Sequence, residues 1–489
     1  MTRNPGSGRR LAILPLAACL LAFLLRLLLI DAQSVWWDEA ISIHLATSSV
    51  GELLSNRAAN IHPPLYYLLL KGWVSLAGTS AFAVRFFSAG FNVLLVPAAY
   101  AFARRRFDRL TGSIVSFLAA GAAVYVIYSQ EARVYALLPV VYLALLTLLE
   151  RLRERSLATW RHWALLGVVE AVGLHLHYVF ALGVIYVNLV LLVHLLRHRS
   201  GWSRWLVSVA LAVAVSVPWI VAVGLNWGAV VDRVGLQSPF IEPVTLDHFF
   251  RLLWSFQWSG LTRALRYRPL QLSTAALALL LVLSVVVLLG RRETRRSSLR
   301  LLGHWLAPLS GALLIWWIRP LSHPRYVALF AVALFIFWGY GLARLFRGRW
   351  WERGLAGLMA TGFLVTAAIS LQAYYVQPAF AKDETRKAAA TIAAAADAGD
   401  LVLVPPEDWS VPYYYAGPAR VEMPWPGDRP ADWDRLAGFA RQAEAVYLVD
   451  YDRGSRDPRG ILPFALEEPK GVTFAVADKL LFFAAFMLP

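Results

Sequence analysis

The chain has 489 residues, of which 58% are hydrophobic and only 16% charged, and its formal net charge is +16. That balance excludes an ordinary soluble globular domain and leaves room for about ten or more membrane spans of ~20 residues each. Nucleic-acid binding is also disfavoured, because the arginines sit in short tracts between apolar runs (104–109, 151–155, 197–204, 291–300 and 344–353), the pattern of the positive-inside rule with anionic lipid headgroups as partner.

Arg9 and Arg10 precede the first apolar run, residues 11–30, which lacks a small-residue cleavage site and reads as a retained span. The one cysteine, Cys19, lies within it, so no intramolecular disulfide is possible. Directly after comes Trp36-Trp37-Asp38-Glu39. Two adjacent carboxylates at the mouth of a membrane helix are costly unless solvated, paired or used, which marks them as a candidate reactive centre. Helix capping is the plain alternative. Glu39 points about 100° from Asp38 on a helix, so the two are not expected to share one task.

Hydropathy places further spans near 83–103, 112–128, 134–150, 161–177, 179–196, 205–224, 271–290, 301–318, 325–345 and 354–372, making eleven. With the amino terminus inside, every arginine tract named above becomes cytoplasmic. The loops 31–82, 129–133, 225–270 and 319–324, and everything after about 373, are then external. The first loop holds two apolar periodic stretches, 40–54 and 65–77, split by His62-Pro63-Pro64, and reads as two short interfacial helices. Trp227, Trp254 and Trp258 place loop 225–270 at headgroup level.

After Tyr375 helical and strand-like pieces alternate: a helix near 384–397, a strand at 401–404, a helix near 432–443, and strands at 446–449, 472–476 and 479–487. The expected architecture is a mainly α-helical polytopic membrane protein, residues 1–375, followed by a small soluble α/β domain, residues 376–489, outside the cytoplasm. The composition points to a bacterial inner (plasma) membrane.

Four further segments carry polar chemistry at the external level. Tyr128-Ser129-Gln130-Glu131-Ala132-Arg133 forms a tight turn, in which Glu131 is either a local partner of Arg133 or a second carboxylate, with Arg133 near an anion. Ser322-His323-Pro324-Arg325-Tyr326 puts an arginine on the side that the positive-inside rule leaves bare, as an external anion would require. In His175-Leu176-His177-Tyr178 the histidines point about 200° apart on a regular helix, so one zinc ion does not readily take both. Lining a site is the sharper reading of His177, and a hydrogen-bonded packing role the plainer one. His62 and Tyr66 of Asn60-Ile61-His62-Pro63-Pro64-Leu65-Tyr66-Tyr67 either stiffen the loop or face a cavity beneath it. Together these residues suit a phosphate-bearing lipid and an aqueous acceptor. The other classes kept open are a transporter or flippase of a lipid-linked sugar, which usually shows repeated halves and broken helices, and a noncatalytic membrane subunit.

The order of motifs, a DE pair after span one, HPPLYY, YSQEARVYAL, HxHY and a late PRY, resembles bacterial members of the GT-C superfamily. More narrowly it is similar to the family-39-like group of protein O-mannosyltransferases and the lipid A aminoarabinose transferase, over about residues 15–345. The resemblance implies an integral membrane glycosyltransferase of the cell envelope using a polyprenyl-phosphate sugar, with a glycolipid, polysaccharide or protein as acceptor and inversion at the anomeric carbon. It maps the catalytic base onto Asp38 and a second acidic residue onto Glu131. The aminoarabinose branch carries a phosphate-binding lysine where this chain has Pro63, so Arg325, His62 and Arg133 are expected to hold the donor phosphate instead. Glu39, Tyr66, His177, Tyr178, His323 and Tyr326 are the expected cavity residues. Metal use varies in the superfamily; no cofactor is certain and a divalent metal stays possible.

Overall fold

The computed structural model describes residues 5–60, 62–154, 159–231, 245, 254–318, 323–405, 407–423, 438, 442–449, 472–478 and 480–486. The chain divides into two compact units, one of Met1–Ile30, Ser49–Gly78 and Phe82–Phe380, the other of Asp31–Ser48, Thr79–Ala81 and Ala381–Pro489. The second unit therefore takes up the start of the first loop together with the C-terminal residues, a grouping that crosses the sequence boundary at 375/376.

The first unit is helical. Among the described residues eight helices are long and apolar enough to cross a membrane, or nine if the bent pair Arg109–Gly121 and Ala123–Ser129 counts as one span. The two other expected spans are helices of lesser length: the apolar stretch Ile13–Leu27 and the 17-residue helix Trp160–Leu176. Helix Pro324–Leu345 is the centre, with 94% of its apolar window buried, whereas Trp202–Leu225 buries 17% and turns valine and leucine side chains outward, as lipid contact requires. A Cβ on Gly167 would stand 2.5 Å from the Ser208 carbonyl oxygen, so the absence of a side chain lets helices Trp160–Leu176 and Trp202–Leu225 touch backbone to backbone.

Ion pairs tie the arginine tracts together. Glu150 receives Arg106 at 3.0 Å and Arg300 at 2.9 Å, Arg347 meets Asp108 at 2.6 Å, and Arg291 pairs with Glu352. The tracts near 106, 150, 300 and 350 thus share one end of the helical unit. Trp258 departs from the headgroup level expected of it: it is 2% exposed and packs 4.9 Å from the Trp338 ring, because an indole with aromatic neighbours gains more from burial than from an interface. Residues 232–244 and 246–253 of loop 225–270 lie outside the described residues.

In the first loop the expected helix over 40–54 is two helices, Trp37–Thr47 and Val50–Ala58, parted at Ser48 and Ser49. Ser49 caps the second through a reciprocal pair with Glu52, a local signal strong enough to restart a helix. Leu65–Ala77 follows the two prolines as expected.

The second unit contains a five-stranded sheet. Strands β1 (Leu401–Leu403), β2 (Arg420–Glu422), β3 (Val446–Val449), β4 (Val472–Asp478) and β5 (Leu480–Phe486) run in the order β2-β1-β3-β4-β5, all pairs parallel except the antiparallel β4–β5. Helix Thr385–Ala395 packs Ala389 and Ile392 onto Val402 and Tyr447. Sequence periodicity missed helix Ser410–Tyr414 and strand β2, which are too short to show a period. The helix expected near 432–443 lies almost wholly outside the described residues.

Candidate functional site

Within the helical unit, at the end away from the arginine tracts, four segments converge. Helix Arg109–Gly121 stops at Ala122, which is extended, and resumes after a 50° bend as Ala123–Ser129. This delivers the turn Gln130–Arg133. Arg26, fully buried in the first helix, donates to the Ala120 carbonyl at 3.0 Å and the Ala119 carbonyl at 3.2 Å beside the bend, and to Asn92 Oδ1 at 2.9 Å. Gln130 returns the favour: its amide lies 2.7 Å from the Leu28 carbonyl and 3.1 Å from the Arg26 carbonyl, the free acceptors at that helix's end. Asn92 donates to the Ala136 carbonyl at 2.7 Å, so both sides of the turn are pinned.

The turn places Arg133, 3% exposed, among groups from other helices. Its Nη1 donates to the Tyr67 hydroxyl at 3.4 Å, and its Nη2 lies 3.4 Å from His62 Nε2. Arg57, also 3% exposed, donates to the same Tyr67 hydroxyl at 3.4 Å. Arg325 stands 5.1 Å above the Tyr135 ring, and Arg133 5.9 Å from that ring. Three guanidinium groups thus share two tyrosines. His177 sits 5.4 Å from the His62 ring, 5.0 Å from Tyr326 and 5.9 Å from Tyr135, centroid to centroid. Burial and then the neighbouring Arg133 hold the His62 imidazole well below its ordinary pKa, with His177, Arg57 and Arg325 adding to the effect.

Of the expected residues, this cluster therefore joins His62, Arg133, His177, Arg325 and Tyr326. Glu131 is buried in the same turn, at 7% exposure, and its carbonyl accepts from the Arg133 amide. Tyr66 is fully enclosed and hydrogen-bonds Ser88 at 3.1 Å. His323 accepts from the Arg325 amide and starts the 3-10 turn Pro324–Phe330, its ring 5.8 Å from Tyr326. Tyr178 is 40% exposed and accepts from Trp219 at 3.1 Å. His175 bonds its own helix at Ala171, whereas His177 follows the helix end with extended backbone, so the pair splits as the spacing requires.

Two members were not singled out by sequence. Arg57 lies four residues after Leu53 on the buried face of Val50–Ala58, and that placement of an arginine on an apolar stripe was the available signal. Arg26, an arginine inside the first apolar run, was the other.

In the second unit Asp38 and Glu39 open helix Trp37–Thr47. Glu39 is fully buried and paired with Lys382 Nζ at 3.1 Å. Asp38 is half-buried, and its carbonyl accepts the Ser42 hydroxyl at 3.0 Å. Trp37 donates to the Glu407 carbonyl at 2.7 Å, and His44 stacks on Trp409 at 3.5 Å. Among the described residues no group of three or more His, Cys, Asp or Glu side chains is close enough to hold a metal ion.

A family model described as dolichyl-phosphate-mannose-protein mannosyltransferase matches residues 61–221. No curated protein matches the chain's sequence. Among solved structures, ArnT from Cupriavidus metallidurans in the apo state aligns with a TM-score of 0.56 at 12% identity, covering 96% of this chain and 93% of that one. The same protein bound to undecaprenyl phosphate aligns with a TM-score of 0.58 at 14% identity, over 97% of both chains. The Archaeoglobus fulgidus oligosaccharyltransferase tethered with an acceptor peptide aligns with a TM-score of 0.53 at 12% identity, over 95% of this chain and 69% of that one. The matched family model and the shared fold bear out the GT-C membrane glycosyltransferase expected from the motifs.

Proposed function

We propose that the chain moves a sugar from a polyprenyl-phosphate donor to an acceptor hydroxyl on the extracytoplasmic side, with inversion at the anomeric carbon. The observation that carries this reading is the convergence of Arg57, Arg133 and Arg325 on Tyr67 and Tyr135 inside the helical unit. Bringing like charges together under low solvation is costly, and a phosphate ligand offsets that cost with charge-assisted, bidentate bonds. ArnT, whose fold this chain shares, has been crystallised with undecaprenyl phosphate, which supports a lipid phosphate as the ligand.

In this reading Asp38, the acidic residue that the motif order singles out, accepts the proton of the acceptor hydroxyl. The freed oxygen attacks the anomeric carbon, the bond from that carbon to the phosphate oxygen breaks, and polyprenyl phosphate leaves with the electron pair. General-base help of this kind contributes about 10²–10⁴-fold. The guanidinium groups stabilise the charge that grows on the leaving phosphate. Glu131 is the second acidic residue, and the C-terminal α/β residues form an accessory module on the acceptor side.

The test incubates purified full-length protein with a panel of polyprenyl-phosphate sugars and follows released polyprenyl phosphate by mass spectrometry. Release with at least one donor, dependent on acceptor, is the expected result. Transport of an intact lipid-linked sugar across vesicles, with no release from any donor, would replace transfer by translocation.

A further inference from the structure

The hydrogen bonds of two histidines fix where their protons are. His177 Nδ1 accepts the Val179 amide at 3.2 Å. A nitrogen that accepts carries no proton, so the ring proton of His177 is on Nε2. His62 Nε2 faces Arg133 Nη2 at 3.4 Å, and a guanidinium only donates, so His62 carries its proton on Nδ1. Both rings are therefore neutral, and in opposite tautomers.

Each leaves one N–H donor over. His177 is 6% exposed, and its Nε2 is closed off with no hydrogen-bond partner among the described residues. His62 Nδ1 is in the same state. The two rings are 5.4 Å apart, and both belong to the cluster of Arg133, Tyr135 and Tyr326. A buried donor with nothing to bond loses its hydration without compensation, so two neighbouring rings that each carry one call for a ligand made of acceptors only.

We infer that His62 and His177 are a matched pair of neutral N–H donors for the phosphate oxygens of the lipid, added to the arginines, and that the site prefers the released phosphate monoester over the sugar-bearing diester. This rests on the lipid-phosphate reading above. The monoester has one more anionic oxygen than the diester, so the extra donors count for more once the sugar has left, and they lower the barrier by holding charge that exists only then. Neither histidine acts as a base, since each free position already holds a proton.

The experiment compares undecaprenyl phosphate with undecaprenol, the same chain lacking phosphate, titrated into detergent-purified full-length protein and read by native mass spectrometry. The readout is the ratio of the two affinities. His177→Gln keeps a donor at the Nε2 position and His62→Asn keeps one at Nδ1, so both should hold the ratio within about threefold. His177→Phe and His62→Leu should reduce the ratio by about 10- to 100-fold, the size of a lost bond to a charged acceptor, with undecaprenol binding unchanged. A merely structural role would change both lipids alike. An unchanged ratio in either donor-free variant, or an equal loss in the Gln and Asn variants, overturns the pairing. A wild-type protein that does not distinguish the two lipids instead overturns the lipid-phosphate reading itself.

Discussion

Lys382 holds its ammonium 3.1 Å from the carboxylate of Glu39, and both side chains are withdrawn from solvent, at 9% and 0% exposure. A pair this enclosed is worth little against an apolar replacement of both partners, but breaking it strands a charge. Lys382→Met should therefore destabilise the protein by about 3–5 kcal/mol. Thermal melting of the purified variant checks this, and a Glu39→Leu/Lys382→Met double variant melting near wild type would assign the loss to the stranded carboxylate.

Asp38 carries the opposite expectation. Its side chain is only half-buried and its helix is anchored by other contacts, such as the Trp37–Glu407 bond. Asp38→Asn should leave melting unchanged and reduce sugar transfer by about 10²-fold or more. Transfer assays beside melting curves decide it, and full activity in Asp38→Asn would remove the proposed base.

The contrast between these neighbours marks how much the sequence could tell. Periodicity and proline breaks located Leu65–Ala77 and Val446–Val449 to the residue and found the membrane helices with looser ends, as at 301–318, where the helix begins at Arg292, because these depend on local pattern alone. The arginine tracts also announced that they share one end. Long-range partners were not legible: nothing near Glu39 indicates a lysine 343 positions later, and nothing in Val50–Ala58 says that Arg57 meets Tyr67 beside Arg133. For the site, residue types were visible while their grouping was not, since His62, Arg133, His177 and Arg325 come from four separate segments.

Arg57 gives the next expectation. It is buried, and its Nη1 shares the Tyr67 hydroxyl with Arg133, so it belongs to the cluster rather than to the loop surface. Arg57→Gln should raise the KM for the lipid donor by about tenfold, the loss of one charge-assisted contact. Steady-state kinetics with varied donor check this, and an unchanged donor KM would return Arg57 to a packing role.

His62 predicts a pH dependence of stability. Its folded-state pKa lies well below the ordinary 6.5, from burial first and the arginines second. The unfolded chain then takes up a proton that the folded chain refuses. The folded state keeps its full margin above about pH 6.5 and loses it as pH falls, by up to about 1.4 kcal/mol per unit from this group. The melting temperature of His62→Asn should fall less between pH 6.5 and 5 than that of wild type, and parallel curves would contradict this.

The bend at Ala122 offers a test of how the site is held. The Ala119 and Ala120 carbonyls beside it bond Arg26, and Arg26 also grips Asn92, which reaches the Ala136 carbonyl. All of these groups are buried, where an unmade bond costs about 1–3 kcal/mol each. Arg26→Met should leave the two carbonyls and Asn92 Oδ1 without this donor and loosen the turn from both sides. Hydrogen–deuterium exchange should then quicken across 122–136 while the sheet strands β1 and β3 of the second unit keep wild-type rates. Quickening throughout the protein would mean that Arg26 holds the whole bundle, and no change at 122–136 would mean that the bend stands without it.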